Sequence, residues 1–203
     1  GILDKEFSVK LISIFCLSIS LLYSHVTLAG ESWWFRTVFN SDPSAPDATS
    51  LMHDAELFDC GEVEGTLLCS DETNYYDLKV FVELELMEGK VSSTRLSFPK
   101  TQLNDTKAQL YLRKDGLQLK SATINGVTFD VLKELELAHE QGNSPHSVDH
   151  ALVTFLNVAP SSNSMLDNKS MVWYWPGNAS AVVMMNHRDQ EIVIELTKSR
   201  LKR

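Results

Sequence analysis

Residues 76–87 alternate with a period of two: Leu78, Val80, Val82, Leu84 and Leu86 fall on one side, with Asp77, Lys79, Phe81, Glu83 and Glu85 on the other. Successive side chains of a strand point to opposite faces, so the pattern predicts a strand with one buried face. Glu88-Gly89-Lys90 turns the chain and residues 91–98 return as its partner. Pro99 ends the pairing because it has no amide hydrogen for a ladder. The same logic predicts a second hairpin from residues 109–112 and 117–124 about Lys114-Asp115-Gly116, since Asp-Gly readily supplies the positive φ of a tight turn. Asn125-Gly126 then leads into a short strand at 127–129. Apolar runs at 171–175, 181–185 and 191–196, separated by Pro176-Gly177-Asn178 and Asn186-His187-Arg188-Asp189, predict an antiparallel meander.

Helical spacing occurs in two adjoining stretches. Asp130 precedes Val131, Leu132, Leu135 and Ala138, and Gly142 follows, which gives a cap, an apolar stripe and a stop. Ser144-Pro145 opens a second stretch, with Val148, Ala151, Leu152, Phe155 and Leu156 at helical spacing. Residues 152–158 are also rich enough in β-formers to read as a strand, and the helix is preferred. Between residues 49 and 58 the pattern is ambiguous, with Leu51, Ala55 and Phe58 as a short helical stripe. Aromatic and β-branched residues at 32–39 read as a first strand, residues 41–47 and 160–169 as loops, and 198–203 as a basic tail. These elements sum to an α+β fold: a mainly antiparallel sheet built from hairpins and a C-terminal meander, with one or two helices.

The first 29 residues break the pattern. Lys5 and Lys10 precede an apolar run at 11–22, and Thr27-Leu28-Ala29 supplies small residues before Gly30. This is the layout of a cleaved secretory signal peptide, and about 12 apolar residues fall short of the roughly 20 that span a bilayer. The expectation is an exported chain, in a bacterial periplasm or outside the cell, with one globular domain over residues 30–203 and no stable membrane insertion after cleavage. Cys16 goes with the leader, so Cys60 and Cys69 remain and are expected to form a disulfide.

The formal net charge is -9. That disfavours nucleic acid and anionic membrane surfaces, which select cationic faces. Acid is concentrated between Thr37 and Gly89, where 13 carboxylates accompany one base, Lys79. Such a bias suits docking of a basic protein, for which Glu62, Glu64, Asp71 and Glu72 are the candidate contacts; a calcium-binding loop and a merely solvated acidic surface are the other readings.

Candidate chemistry is sparse. His139-Glu140, His146 and Asp149-His150 lie within a dozen residues, and imidazoles with a carboxylate are ligands for zinc or a similar divalent metal. His146 and His150 stand one helical turn apart, His139 and Asp149 complete the candidate set, and Glu140 is the nearest base for a metal-activated water. The HExxH pattern is absent, and Asp149 points away from the His146–His150 axis. The tryptophans fall in Trp33-Trp34-Phe35 and Trp173-Tyr174-Trp175. On strands, Trp33, Phe35, Trp173 and Trp175 would pack inward and leave Trp34 and Tyr174 as candidate contacts. Glycosylation sequons occur at Asn104, Asn168 and Asn178, where this composition would supply about one or two by chance. A nucleophile elbow, a phosphate-binding loop and a dinucleotide fingerprint are missing. The leading expectation is a non-enzymatic exported binding protein, of inhibitor or immunity type, that engages a basic partner through an acidic face without a cofactor. A metal-dependent envelope hydrolase and a structural envelope component are the alternatives.

Overall fold

The computed structural model describes residues 47–157, 168–176 and 178–198. The leader, the 32–39 segment with Trp34, and the C-terminal tail beyond Lys198 lie outside them. Among the described residues the chain forms, in order, α1 (Ala48–Met52), β1 (Leu57–Asp59), β2 (Leu67–Ser70), β3 (Thr73–Tyr75), β4 (Leu78–Met87), β5 (Lys90–Pro99), α2 (Gln102–Lys114), β6 (Gln118–Ile124), β7 (Val127–Asp130), α3 (Val131–Glu140), α4 (Pro145–Asn157), β8 (Lys169–Trp175), β9 (Asn178–His187) and β10 (Glu191–Lys198). The strands make one antiparallel sheet in the order β1-β2-β4-β5-β10-β9-β8-β6-β7, and β3 pairs with the start of β4. The fold is α+β and mainly sheet, as the hydrophobic pattern implies.

The alternation in β4 is realised residue by residue: Leu78, Val80, Val82, Leu84 and Leu86 are buried, and their neighbours are half-buried to exposed. Its partner β5 needs one irregularity to match. Val91, Thr94, Leu96 and Phe98 all face inward although their numbering changes parity. The register shift at Glu85/Leu86 leaves Ser92 as the extra residue of a bulge, with its hydroxyl donating to the Glu85 carbonyl at 3.1 Å. The meander β8-β9-β10 supplies Met171, Trp173, Val183, Met185, Ile192, Ile194 and Leu196 to the same face. Ala108 and Leu112 of α2 bury against this core, and Leu152, Phe155 and Leu156 of α4 pack on it from its margin. The opposite face of β4, β5 and β10 is half-buried to exposed, apart from Val193.

Residues 109–112 are not a strand. They belong to α2, for which Thr101 is the N-cap, its hydroxyl accepting from the Asn104 amide at 3.1 Å. Asp105, Ala108 and Leu112 form its buried stripe. The positive φ of Gly116, +85°, serves a helix end instead of a hairpin: the Leu117 amide reaches back to the Leu112 carbonyl at 3.0 Å and the Gly116 amide to Arg113 at 2.9 Å. That pair of bonds is a Schellman motif. In the ambiguous 49–58 stretch only Ala48–Met52 is helical, and Phe58 belongs to β1. Among the described residues there are four helices where one or two were expected. Asp130 caps α3 as predicted, accepting from the Lys133 amide at 3.1 Å, and residues 152–157 are helical within α4.

Candidate functional site: a carboxylate-lined hollow on the outer sheet face

The register of the strands brings acids together that are far apart in sequence. Leu67, Glu85 and Ser93 share one cross-strand row, and Glu83, Arg95 and Glu195 share the next. Adjacent strands lie about 4.8 Å apart, so each row sets side chains of the same face within contact range. Arg95 is flanked by acids: it donates to Glu83 Oε2 at 3.2 Å, and its second terminal nitrogen lies 3.6 Å from Glu191 Oε1. These groups are 33–43% exposed, so the ion pairs are solvated and individually weak. Among the described residues the buried Nε of Arg95 has no hydrogen-bond partner.

The wall of the hollow is the loop between β1 and β2. The Cys60–Cys69 disulfide closes it, with the Cα atoms 5.9 Å apart. Inside it, the Asp59 carboxylate accepts from the amides of Gly65 at 2.5 Å and Gly61 at 3.0 Å. These bonds, Gly65 first, hold the Asp59 carboxyl below the usual carboxylate range. Gly61 has no room for a side chain, because a Cβ would sit 2.9 Å from both Thr66 Oγ1 and the Val63 carbonyl. The Leu86 amide donates to Thr66 O at 2.8 Å and anchors the loop to β4. Between this wall and the sheet lies a hollow of about 510 Å³ lined by Glu62, Glu83, Glu85 and Glu195, with Arg95 as the opposing charge.

Of the four acids singled out by charge density, Glu62 lines the hollow. Glu64 is exposed on the same loop, and Asp71 and Glu72 are exposed at the turn between β2 and β3. Tyr174 is half-buried on β8 and donates to Gln118 Oε1 at 2.8 Å; its row runs through Val182 and Thr197 to Ser93, three strands away. Trp173 is fully buried beneath the Arg113 guanidinium, 5.4 Å from the ring centre. Trp34 lies outside the described residues. His139, His146 and His150 are exposed, and the His146 ring lies 3.8 Å from the Asp149 carboxylate with both side chains largely in solvent. Among the described residues no group of three or more His, Cys, Asp or Glu side chains is placed to hold a metal ion, so His139, His146, Asp149 and His150 do not form such a set.

Two polar clusters that sequence reasoning missed lie around α2. Tyr75 and Tyr76 both donate to the Asp115 carboxylate, the former at 2.8 Å, while Lys107 at 2.8 Å and Tyr111 donate to Asp77. Burial, then the Asp115 hydrogen bond, pushes the Tyr76 phenol up; Tyr76 also stacks on Tyr111, with ring centres 4.6 Å apart. The second cluster is Asp105, Lys169 and His187. Lys169 continues the inward row of Met171 and Trp173, and His187 that of Val183 and Met185, so extending the period-two pattern by one step at each end would have found both. Burial alone would push the Asp105 carboxyl up, but the hydrogen bonds and charges of His187 and Lys169 outweigh it and hold the group below the usual range.

Comparison of the chain with protein-family models, curated proteins and solved structures finds no match. The disulfide is in place, and among the described residues no helix is long and apolar enough to cross a membrane.

Proposed function

We propose that the chain is an exported, non-enzymatic binding protein that engages a basic protein partner through the outer face of β4, β5 and β10. The observation that carries this reading is the hollow itself: four carboxylates, Glu62, Glu83, Glu85 and Glu195, converge on about 510 Å³ of open space against one guanidinium. Lysine or arginine side chains fit such a site, and long-range attraction to the acidic half speeds association and selects the partner. The disulfide and the signal-like leader support export, and the disulfide holds the wall that carries Glu62.

The test uses a fluorescent Lys/Arg-rich peptide as probe, titrated against the folded protein at low and at physiological salt. Neutralising the hollow with Glu83→Gln, Glu85→Gln and Glu195→Gln is expected to weaken binding at least tenfold and to flatten its salt dependence. Asp71→Asn with Glu72→Gln, which removes charge elsewhere on the acidic half, is expected to leave most of the affinity. Equal losses in the two variants would reduce the face to a diffuse charge effect and overturn the assignment of the hollow. Mass spectrometry of material recovered from an exporting host checks localisation, with an N-terminus at Gly30 as the expected result.

A further inference from the structure

The outward face of the sheet changes character where β10 meets β9. On β4, β5 and β10 the outward positions that line the hollow are charged or hydroxyl-bearing: Glu83, Glu85, Ser93, Arg95 and Glu195. On β9 and β8 the same cross-strand rows continue without a charge. Glu195 pairs with Met184 and Met184 with Val172; Thr197 pairs with Val182 and Val182 with Tyr174. A sheet face turned to water ordinarily carries polar side chains, because alternation sends the apolar ones inward. Here Met171, Trp173, Val183 and Met185 already fill the inward positions, and a second apolar set stands on the other side. Met184 is 40% exposed, and Val172, Tyr174 and Val182 are half-buried. The Tyr174 hydroxyl donates to Gln118 Oε1 at 2.8 Å, which fixes the phenol at the β6 side of the patch. Ser121 and Thr197 pair with members of the patch, and Ser170 and Asn186 pair with each other one step further along β8 and β9. An apolar centre inside a polar rim is the layout of a protein interface.

We infer that the partner seated on the hollow carries an apolar side chain beside its basic one, and that the Met184 patch receives it. This rests on the reading of the hollow as a site for lysine or arginine. Adjacent strands lie about 4.8 Å apart, so from β5, where Arg95 marks the hollow, to the middle of β8 and β9 is roughly 12 Å. An extended peptide covers that distance in about four residues, an even number that returns the side chain to the same face. The ligand class is an amphipathic cationic segment, with a lysine or arginine and a leucine, methionine or phenylalanine about four positions away. Methionine suits the receiving surface because its unbranched thioether adapts to different apolar groups. A second copy of the chain fits poorly, since a two-fold contact through this face would set Glu83, Glu85 and Glu195 against the same carboxylates. The same charges repel an anionic bilayer.

The test crosses two peptides with two proteins. A fluorescent peptide with lysine and leucine four positions apart, and its twin with serine in place of leucine, are titrated against the unmodified protein and against Met184→Ser. The leucine peptide is expected to bind the unmodified protein at least about fivefold tighter than its twin, the gain from partial burial of one leucine side chain, and this gain is expected to vanish in Met184→Ser. A gain that persists in the variant, or no gain while the serine twin still binds in a salt-dependent way, overturns the patch and leaves the hollow standing. Failure of both peptides to bind overturns the hollow first, and the patch with it. Carbon-13 methyl NMR of the unmodified protein needs no variant: the Met184 methyl is expected to shift with the leucine peptide and to stay in place with its twin. A methyl that ignores the leucine overturns the patch. Self-association of the unmodified protein that Met184→Ser abolishes also overturns it, because a second copy would then hold the surface.

Discussion

The outer hollow and the cluster under α2 are built from the same chemistry, carboxylates held against cations, and differ in their access to water. Around Arg95 the side chains are a third to two-fifths exposed, and the pairs with Glu83 and Glu191 span 3.2 and 3.6 Å. Around Asp105 the side chains are nearly sealed, with contacts of 2.7 and 2.8 Å. Water screens the first set, so its charge remains available to an incoming partner. Desolvation makes the second set self-contained: each member is intolerable without the others, and none is free to recognise anything. Burial thus separates acids that can bind a ligand from acids that hold the fold.

Substitutions that remove charge sharpen this contrast, and the largest effect is expected at Asp105. Asp105→Ala leaves Lys169 and His187 buried without their carboxylate, and the expected cost is about 3 to 5 kcal/mol in urea unfolding. Acid should act in the same direction. The carboxyl lies below its usual range in the folded state, so its contribution is present above about pH 4 and disappears as pH falls through the folded value; in Asp105→Asn that acid dependence should shrink. A wild-type acid transition unchanged in the variant would mean that other carboxylates drive it.

Opening the wall of the hollow ranks second. Replacing Cys60 and Cys69 with alanine frees a loop of about ten residues, and a loss of about 2 to 3 kcal/mol is expected, accompanied by weaker peptide binding because Glu62 is no longer held in place. Third is Thr101→Ala, which removes the cap of α2 at a cost of about 1 kcal/mol. Smallest in stability is Glu83→Gln, with an expected change of about 0 to 1 kcal/mol. A stability loss at Glu83 comparable to that at Asp105 would erase the distinction between the two regions.

Much of this architecture is legible in the chain. The period-two rows of β4 and the meander, the Asp130 cap and the Cys60–Cys69 pair are local signals, and local physics suffices for each. α2 escaped because its buried stripe is only Asp105, Ala108 and Leu112, and because Asp115-Gly116 offers the same left-handed residue to a hairpin as to a helix end. The hollow is legible only in part. Glu62 stands out by charge density, but the convergence of Glu83, Arg95 and Glu195 depends on a strand order that sets β10 beside β5, a pairing of segments nearly a hundred residues apart. The His187 cluster was hidden for a related reason, since a histidine beside Arg188 and Asp189 reads as part of a turn until the strand is carried two residues further.

The sheet also ends abruptly on both sides. Its outermost strands, β1 and β7, have three and four residues, and each is bound to what adjoins it: Asp59 closes the disulfide loop and Asp130 begins a helix. Among the described residues, each of these two end strands offers a neighbouring polypeptide only a short template on which to add itself.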